Sequence, residues 1–182
     1  MQHSIIIFCL VIAFSGFIPK AKAQDPLTAG EIKLALNKLN TLGSVLYLAA
    51  HPDDENTRLI AYMANEKLMR TGYLSLTRGD GGQNLIGTEQ GGLMGVVRTQ
   101  ELLEARKIDG GEQFFTRAVD FGYSKTPEET FFKWDKQKVL ADVVYIIRKF
   151  RPDVIITRFP KTAYAGHGHH TCLLYTSDAA DE

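Results

Sequence analysis

The chain has 182 residues, of which 45% are hydrophobic and 23% are charged, and its formal net charge is zero. This length is sufficient for one globular domain with a substantial core. A neutral chain without a basic run is not typical of proteins that bind nucleic acid or acidic membrane surfaces, so we expect neither partner.

The amino terminus has the features of a secretory signal peptide. An apolar run over residues 5–17 precedes the small-x-small sequence Ala21-Lys22-Ala23, which predicts cleavage after Ala23. The run is too short for a comfortable membrane span. We therefore expect a secreted or periplasmic protein with no stable span after cleavage. An uncleaved anchor is the alternative, because no Lys or Arg precedes the apolar run.

Apolar periodicity in the rest of the chain predicts helices that alternate with short buried strands. Nothing in the sequence indicates hairpins between consecutive strands, so we expect a mostly parallel sheet. The pattern predicts a Rossmann-like, three-layer αβα fold of the α/β class. The predicted helices span 27–42, 56–70, 95–108 and 135–150, the predicted strands span 44–50, 73–77, 113–119 and 153–157, and residues 121–134 are predicted to form a loop.

Four of the five histidines lie in two clusters that are far apart in the sequence. Ala50-His51-Pro52-Asp53-Asp54-Glu55 follows the first strand, and Gly166-His167-Gly168-His169-His170 follows the last. Ligands bind where the strand order of an open α/β sheet reverses, and a Rossmann-like order would place these two strand ends side by side. We therefore interpret the clusters as two halves of one metal site.

The first cluster contains the residue types that a catalytic zinc ion requires. Such a site has three protein ligands, typically imidazole and carboxylate, and leaves one position for water. His51 and Asp54 can converge on one ion, and a histidine of the second cluster would complete the set. Asp53 would then be free to act as general base on the water.

Each cluster also has a structural interpretation that the residues leave open. Asp53, Asp54 or Asn56 can cap the following helix by accepting hydrogen bonds from its first amide groups. The second cluster can be a surface loop with solvated imidazoles. These two alternatives do not explain why the histidines are concentrated in two places.

Together the two motifs resemble those of the PIG-L / LmbE-like zinc-dependent de-N-acetylase family, which has A-H-P-D-D-E after the first strand and a later H-x-x-H. Arg98-Thr99-Gln100-Glu101-Leu102 is similar to that family's R-x-x-E-L segment, and the similarity covers residues 44–171. The resemblance implies a hydrolase that removes an N-acetyl or other N-acyl group from an amino sugar or glycoconjugate. It also implies Zn²⁺, or another divalent metal such as Fe²⁺, as the activator of water.

The resemblance implies a role for each matching position. His51, Asp54 and His170 would be the metal ligands. Asp53 would be the general base, and His167 would stabilise the oxyanion of the intermediate or act as an acid.

Other residues near these motifs receive weaker expectations or none. Arg78 and Asp80 lie in a Gly-rich loop after the second strand and are candidates for substrate contact, although a solvated loop explains them equally well. Glu55 is expected to stabilise the helix start or orient its neighbours. His169 receives no role.

The carboxyl terminus departs from the family pattern. Residues 172–182 resemble a translated sequencing adapter, so we expect a deacetylase domain over 24–172 that lacks its carboxyl-terminal part, and a non-native tail over 173–182. A chain truncated in this way would itself be poorly folded or inactive.

Two other functions remain open at this point. One is a non-catalytic carbohydrate-binding or inactive relative in which the metal is structural. The other is an iron or manganese enzyme that uses His51, Asp54 and His170 as a facial triad.

Overall fold

A computed structural model describes residues 26–160 and 162–177. The predicted signal peptide and the last five residues of the predicted tail lie outside the described residues. Among the described residues, no helix combines the length and apolar character needed to cross a membrane.

The chain divides into two units, residues 1–33 and 34–182. Helix α1 (Ala29–Lys38) begins in the first unit and is shorter than predicted. Its start is stabilised by a reciprocal cap, because the Thr28 amide donates to the Glu31 carboxylate at 2.6 Å and the Glu31 amide donates to the Thr28 hydroxyl at 3.3 Å.

A parallel sheet of four strands forms the centre of the second unit. The strands are β1 (Ser44–Ala49), β2 (Arg70–Ser75), β3 (Glu112–Phe115) and β4 (Val154–Thr157). Their spatial order is β3-β2-β1-β4, and each pair of neighbours is parallel. This confirms the predicted parallel sheet of the α/β class, and the strand order reverses between β1 and β4.

Helices cover both faces of the sheet. Successive side chains of a strand point to opposite faces, so one strand contributes to an apolar cluster on each side. Leu46 and Leu48 of β1 belong to one apolar cluster, and Tyr47 and Ala49 belong to another. The helices of this unit are α2 (Thr57–Ala61), α3 (Gly92–Asp109), α4 (Pro127–Lys133), α5 (Lys136–Phe150) and α6 (Gly168–Ser177), with a π-helical segment at Tyr62–Glu66 and a 3-10 turn at Ala163–Ala165. The first cluster includes residues of α5 and α6, and the second includes residues of α2 and α3.

The predicted loop over residues 121–134 is wrong in part, because it contains α4. The Thr126 side chain accepts the Glu129 amide at 3.2 Å and Pro127 occupies the first turn, which together start a short helix. Seven residues are too few to show a helical period clearly among turn-forming neighbours.

The predicted helix over 56–70 is also too long. It ends in the π-helical segment, and β2 begins at Arg70, three residues before its predicted start. Gly72 therefore lies inside a strand. A Cβ at this position would lie 2.9 Å from Phe150 and 3.0 Å from Leu46, so the glycine permits close packing across the sheet and does not terminate a helix.

Helix α6 continues to Ser177, beyond the predicted domain boundary at residue 172. Cys172 and Leu173 are fully buried in the apolar cluster that contains Leu46 and Leu48. The domain limits and the foreign origin of residues 173–182 stay predictions.

Candidate active site

The turn after β1 holds His51 and Asp54 together. Oδ2 of Asp54 accepts the His51 amide at 2.8 Å and lies 3.1 Å from Nδ1 of the His51 ring. The Tyr73 hydroxyl donates to the His51 carbonyl at 2.5 Å. Helix α2 is capped by Asn56, whose side chain accepts the Leu59 amide at 3.1 Å. Because Asn56 provides the cap, capping does not account for either aspartate.

The second histidine cluster approaches this turn from the start of α6. Nε2 of His170 lies 3.6 Å from Oδ2 of Asp54. Nδ1 of His170 lies 2.9 Å from the Ala165 carbonyl oxygen and donates to it, which leaves Nε2 unprotonated. The ring also stacks on Phe159 with centroids 3.7 Å apart. These contacts give His170 the orientation and tautomer of a metal ligand.

The ligand atoms of His51, Asp54 and His170 all lie within 4.8 Å of one another. Nδ1 of His51 and Nε2 of His170 both face the same carboxylate oxygen. Two imidazoles and a carboxylate are a donor set that zinc and ferrous iron accept. The three residues therefore fit one divalent cation. His51, His167 and His169 form a second group within the same distance limit.

The electrostatics of this turn favour an ionised carboxylate. Burial alone would raise the pKa of Asp54, but the hydrogen bond from His51 and the charges of His51 and His170 outweigh it and lower the pKa. Burial likewise opposes protonation of His51, but its hydrogen bond to Asp54 raises the pKa of the imidazole. Asp54 is thus negative at neutral pH, the state in which it can bind a cation.

His167 lies beside the ligands but has a different environment. Its Nδ1 accepts the backbone amide of His169 at 3.2 Å and lies 3.3 Å from the Ser124 hydroxyl. Burial, followed by the charges of His51 and His170, lowers the pKa of His167 to about 4. His167 is therefore neutral at pH 7 and carries its proton on Nε2.

A cavity of about 300 Å³ opens beside the two clusters. Its wall contains Asp53, whose exposed carboxylate lies 3.7 Å from the Arg98 guanidinium. Arg98 also donates to the Pro52 carbonyl at 3.1 Å, so α3 supports the histidine turn from the cavity side. The remaining lining residues that bear on function are His51, His167, Asp120 and Tyr123.

Asp120 and Tyr123 were not among the predicted site residues. Asp120 is buried, and its Oδ1 lies 3.9 Å from Nδ1 of His169. The Tyr123 ring lies 5.0 Å from the His167 ring. Both residues follow β3, and the carboxyl ends of parallel strands share one edge of the sheet. That placement is the signal from which they could have been found.

The described wall of this cavity does not include Arg78 or Asp80. The Arg78 guanidinium lies 4.2 Å from the Phe115 ring centroid and donates to Thr99 at 3.2 Å. Arg78 and Asp80 line a separate cavity of about 250 Å³ beside Gly95. The structure therefore does not bring these two candidates to the histidines.

Glu55 belongs to a buried ionic cluster behind the turn. Its carboxylate lies 3.4 Å from the guanidinium of Arg106, which also donates to Asp109 at 3.0 Å. Gln113 accepts from the same guanidinium at 3.1 Å. We call Glu55, Arg106, Asp109 and Gln113 the Arg106 cluster. It joins the histidine turn to α3, and the expectation that Glu55 orients its neighbours stays a prediction.

Comparison with known proteins identifies the family. The family model for PIG-L, GlcNAc-PI de-N-acetylase, matches residues 46–180. The chain belongs to the PIG-L family. A 1D-myo-inositol 2-acetamido-2-deoxy-alpha-D-glucopyranoside deacetylase from Corynebacterium urealyticum is 30% identical over 69% of the chain. A mycothiol S-conjugate amidase from Streptomyces coelicolor is 33% identical over 66% of it.

The chain spans less than half the length of these two relatives, covering 44% and 45% of them. Among solved structures, it is similar to the N,N'-diacetylchitobiose deacetylase of Pyrococcus horikoshii, with a TM-score of 0.59 and 19% identity. That likeness covers 86% of this chain and 60% of the other. It supports the fold of the PIG-L family member described here.

Proposed function

We propose that this PIG-L protein is a metal-dependent hydrolase that removes an N-acetyl or other N-acyl group from an amino sugar or glycoconjugate. The names of the two relatives, a deacetylase and an amidase, support cleavage of an amide on a sugar-like molecule. The observation that carries the proposal is the meeting of His51, Asp54 and His170 beside a cavity lined by Asp53 and His167.

His51, Asp54 and His170 would hold the cation, which we propose to be Zn²⁺ with Fe²⁺ as the alternative. A bound divalent cation polarises a carbonyl group and lowers the pKa of water to about 7. The lowered pKa of Asp54 and the free Nε2 of His170 support this assignment, because ligands must be deprotonated to bind.

Asp53 would act as the general base. Its carboxylate is exposed to the cavity, where it could accept a proton from the attacking water, and the nearby Arg98 guanidinium would hold it in place. The same carboxyl group would then donate that proton to the amine as the carbon–nitrogen bond breaks.

His167 would donate a hydrogen bond to the amide oxygen as negative charge develops there. Its Nδ1 is occupied by the His169 amide, so the proton on Nε2 is the one available to a substrate. A pKa of about 4 favours this neutral donor over an imidazolium acid at pH 7. We also propose, from the signal-like sequence before Gln24, that the enzyme acts outside the cytoplasm.

Acetate release and metal content of the full chain, measured together, test the proposal. With an N-acetylglucosamine derivative as substrate, Asp53→Asn should lose about 10²–10⁴-fold in turnover and keep its metal. Asp80→Asn removes a carboxylate from the separate cavity and is the matched control, with turnover near wild type. A wild-type protein that binds metal but releases no acetate would favour a carbohydrate-binding relative. Equal losses in both variants would contradict the role of Asp53.

A further inference from the structure

His169 is fully buried at the start of α6 and contacts the histidine turn directly. Its Nδ1 lies 2.9 Å from Nε2 of His51. The ring stacks on Trp134 with centroids 4.6 Å apart, and the Phe121 ring meets it edge-on at 4.4 Å. These two aromatic side chains fix the orientation of the imidazole.

One proton joins the two facing nitrogens. In a pair of neutral imidazoles at this distance, one nitrogen donates and the other accepts. Nδ1 of His51 is the nitrogen that faces Asp54, and it belongs to the group that fits a cation. If this Nδ1 binds the cation, it gives up the proton that it donates to Asp54 in the absence of metal, so the proton of His51 then lies on Nε2. His169 must then accept it.

We infer that His169 is a positioning residue whose Nδ1 accepts the Nε2–H of His51 and holds that ligand in the tautomer that presents Nδ1 to the cation. The inference rests on the proposed function. A metal-binding histidine usually donates its second ring N–H to a carboxylate or a carbonyl group. In this chain a buried imidazole takes that place.

Two further observations support this direction of the hydrogen bond. Oδ1 of Asp120 lies 3.9 Å from Nδ1 of His169, which is too long for a hydrogen bond that would compete with His51. Nε2 of His169 has no hydrogen-bond partner among the described residues. Burying a ring nitrogen without a hydrogen-bond partner costs free energy, and an apolar side chain of similar size would avoid this cost. Contact with His51 is therefore the role that accounts for an imidazole at this position.

Zinc affinity of two variants of the full chain tests the inference. His169→Leu keeps similar bulk but removes the acceptor, and we expect zinc to bind about 10–100-fold more weakly in competition with a chelator. His169→Asn places an amide oxygen near the position of Nδ1 and should recover most of the affinity. Thermal unfolding of the metal-free variants confirms that each one folds. A folded His169→Leu with wild-type affinity would overturn the inference.

Nitrogen-15 spectra of the zinc-loaded wild type provide a second test that needs no variant. We expect the ring proton of His51 on Nε2, and a proton on Nδ1 would overturn the inference. If the wild type binds two zinc ions per chain, Nε2 of His51 is a ligand of the second ion, and this result would also overturn the inference. A wild type that binds no divalent cation refutes the proposed function and this inference together. Failure confined to the variants or the spectrum refutes the inference alone.

Discussion

Replacing Arg106 should destabilise the protein far more than replacing its neighbour Lys107. The Arg106 side chain is only 4% exposed, and its partners Asp109 and Glu55 are 7% and 6% exposed. Arg106→Met would leave both buried carboxylates without their counter-charge. Breaking a buried ion pair from one side typically costs about 3–5 kcal/mol, so we expect a loss of unfolding free energy in that range.

Lys107 provides the matched comparison on the same helix. It forms an ion pair with Glu104 at 2.5 Å, the same distance and the same three-residue spacing as the pair between Arg106 and Asp109. Its side chain is 69% exposed and that of Glu104 is 64% exposed. Water screens such a pair, and removing it should cost about 0–1 kcal/mol. Burial therefore decides the difference between the two substitutions.

Urea unfolding at pH 7 measures both variants. A third protein, with Glu55→Gln, Arg106→Met and Asp109→Asn together, should recover part of the lost stability, because the buried charges are then absent. If Arg106→Met loses less than about 1 kcal/mol, or no more than Lys107→Met, then the Arg106 cluster does not have the energetic role inferred from its burial.

Three further measurements follow from the structure. Burial raises the pKa of Glu55 above its usual 4.5 despite the attraction of Arg106, so at this carboxyl group the folded state holds its proton to a higher pH than the unfolded state does. The contribution of Glu55 to stability should therefore fall as the pH rises from 4.5, and Glu55→Gln should gain unfolding free energy relative to wild type over the same range. A Cβ at Gly168 would overlap the Thr126 carbonyl oxygen, so Gly168→Ala should shift the start of α6 and weaken zinc binding in a chelator competition. Burial raises the pKa of Cys172 to about 12, so its thiol should resist iodoacetamide at pH 8 until urea unfolds the protein, as read by peptide mass.

Each of these measurements has an outcome that would contradict it. A stability difference between Glu55→Gln and wild type that does not change with pH would show that the carboxyl group is not perturbed. Gly92→Ala is the control for Gly168→Ala, because a Cβ at Gly92 meets no atom within 4 Å. Equal zinc affinity in these two variants would show that the overlap of a Cβ at Gly168 with the Thr126 carbonyl oxygen does not affect the site. Alkylation of Cys172 in the native protein would mean that the start of α6 opens readily.

The order of helices and strands was largely predictable, because long apolar stripes and buried strands leave a clear pattern. The pairing of the histidine turns was predictable for a related reason, since both follow strands of one parallel sheet. The start of β2 was not predictable, because the place of Gly72 inside the strand depends on Phe150, which packs against it from a distant part of the chain.

Burial of individual polar residues was not predictable. Arg98 and Arg106 lie on the same helix, and nothing local shows that the first faces the cavity and the second is enclosed. The contact of His169 with His51 depends on a wall formed by Phe121 and Trp134, more than 30 positions away. Such environments arise only when separate elements pack together.

The parallel order of the sheet has a consequence for how the protein forms. Neighbouring strands that run in the same direction require long crossovers, so each pairing closes a large loop and none is made early by a hairpin. His51 and His169 are 118 positions apart in the sequence, so their contact closes a loop that contains most of the sheet. A nascent or partly opened chain therefore offers only separate, weak donors. A cation bound at the proposed site would therefore require the folded state, and by mass action it would stabilise that state.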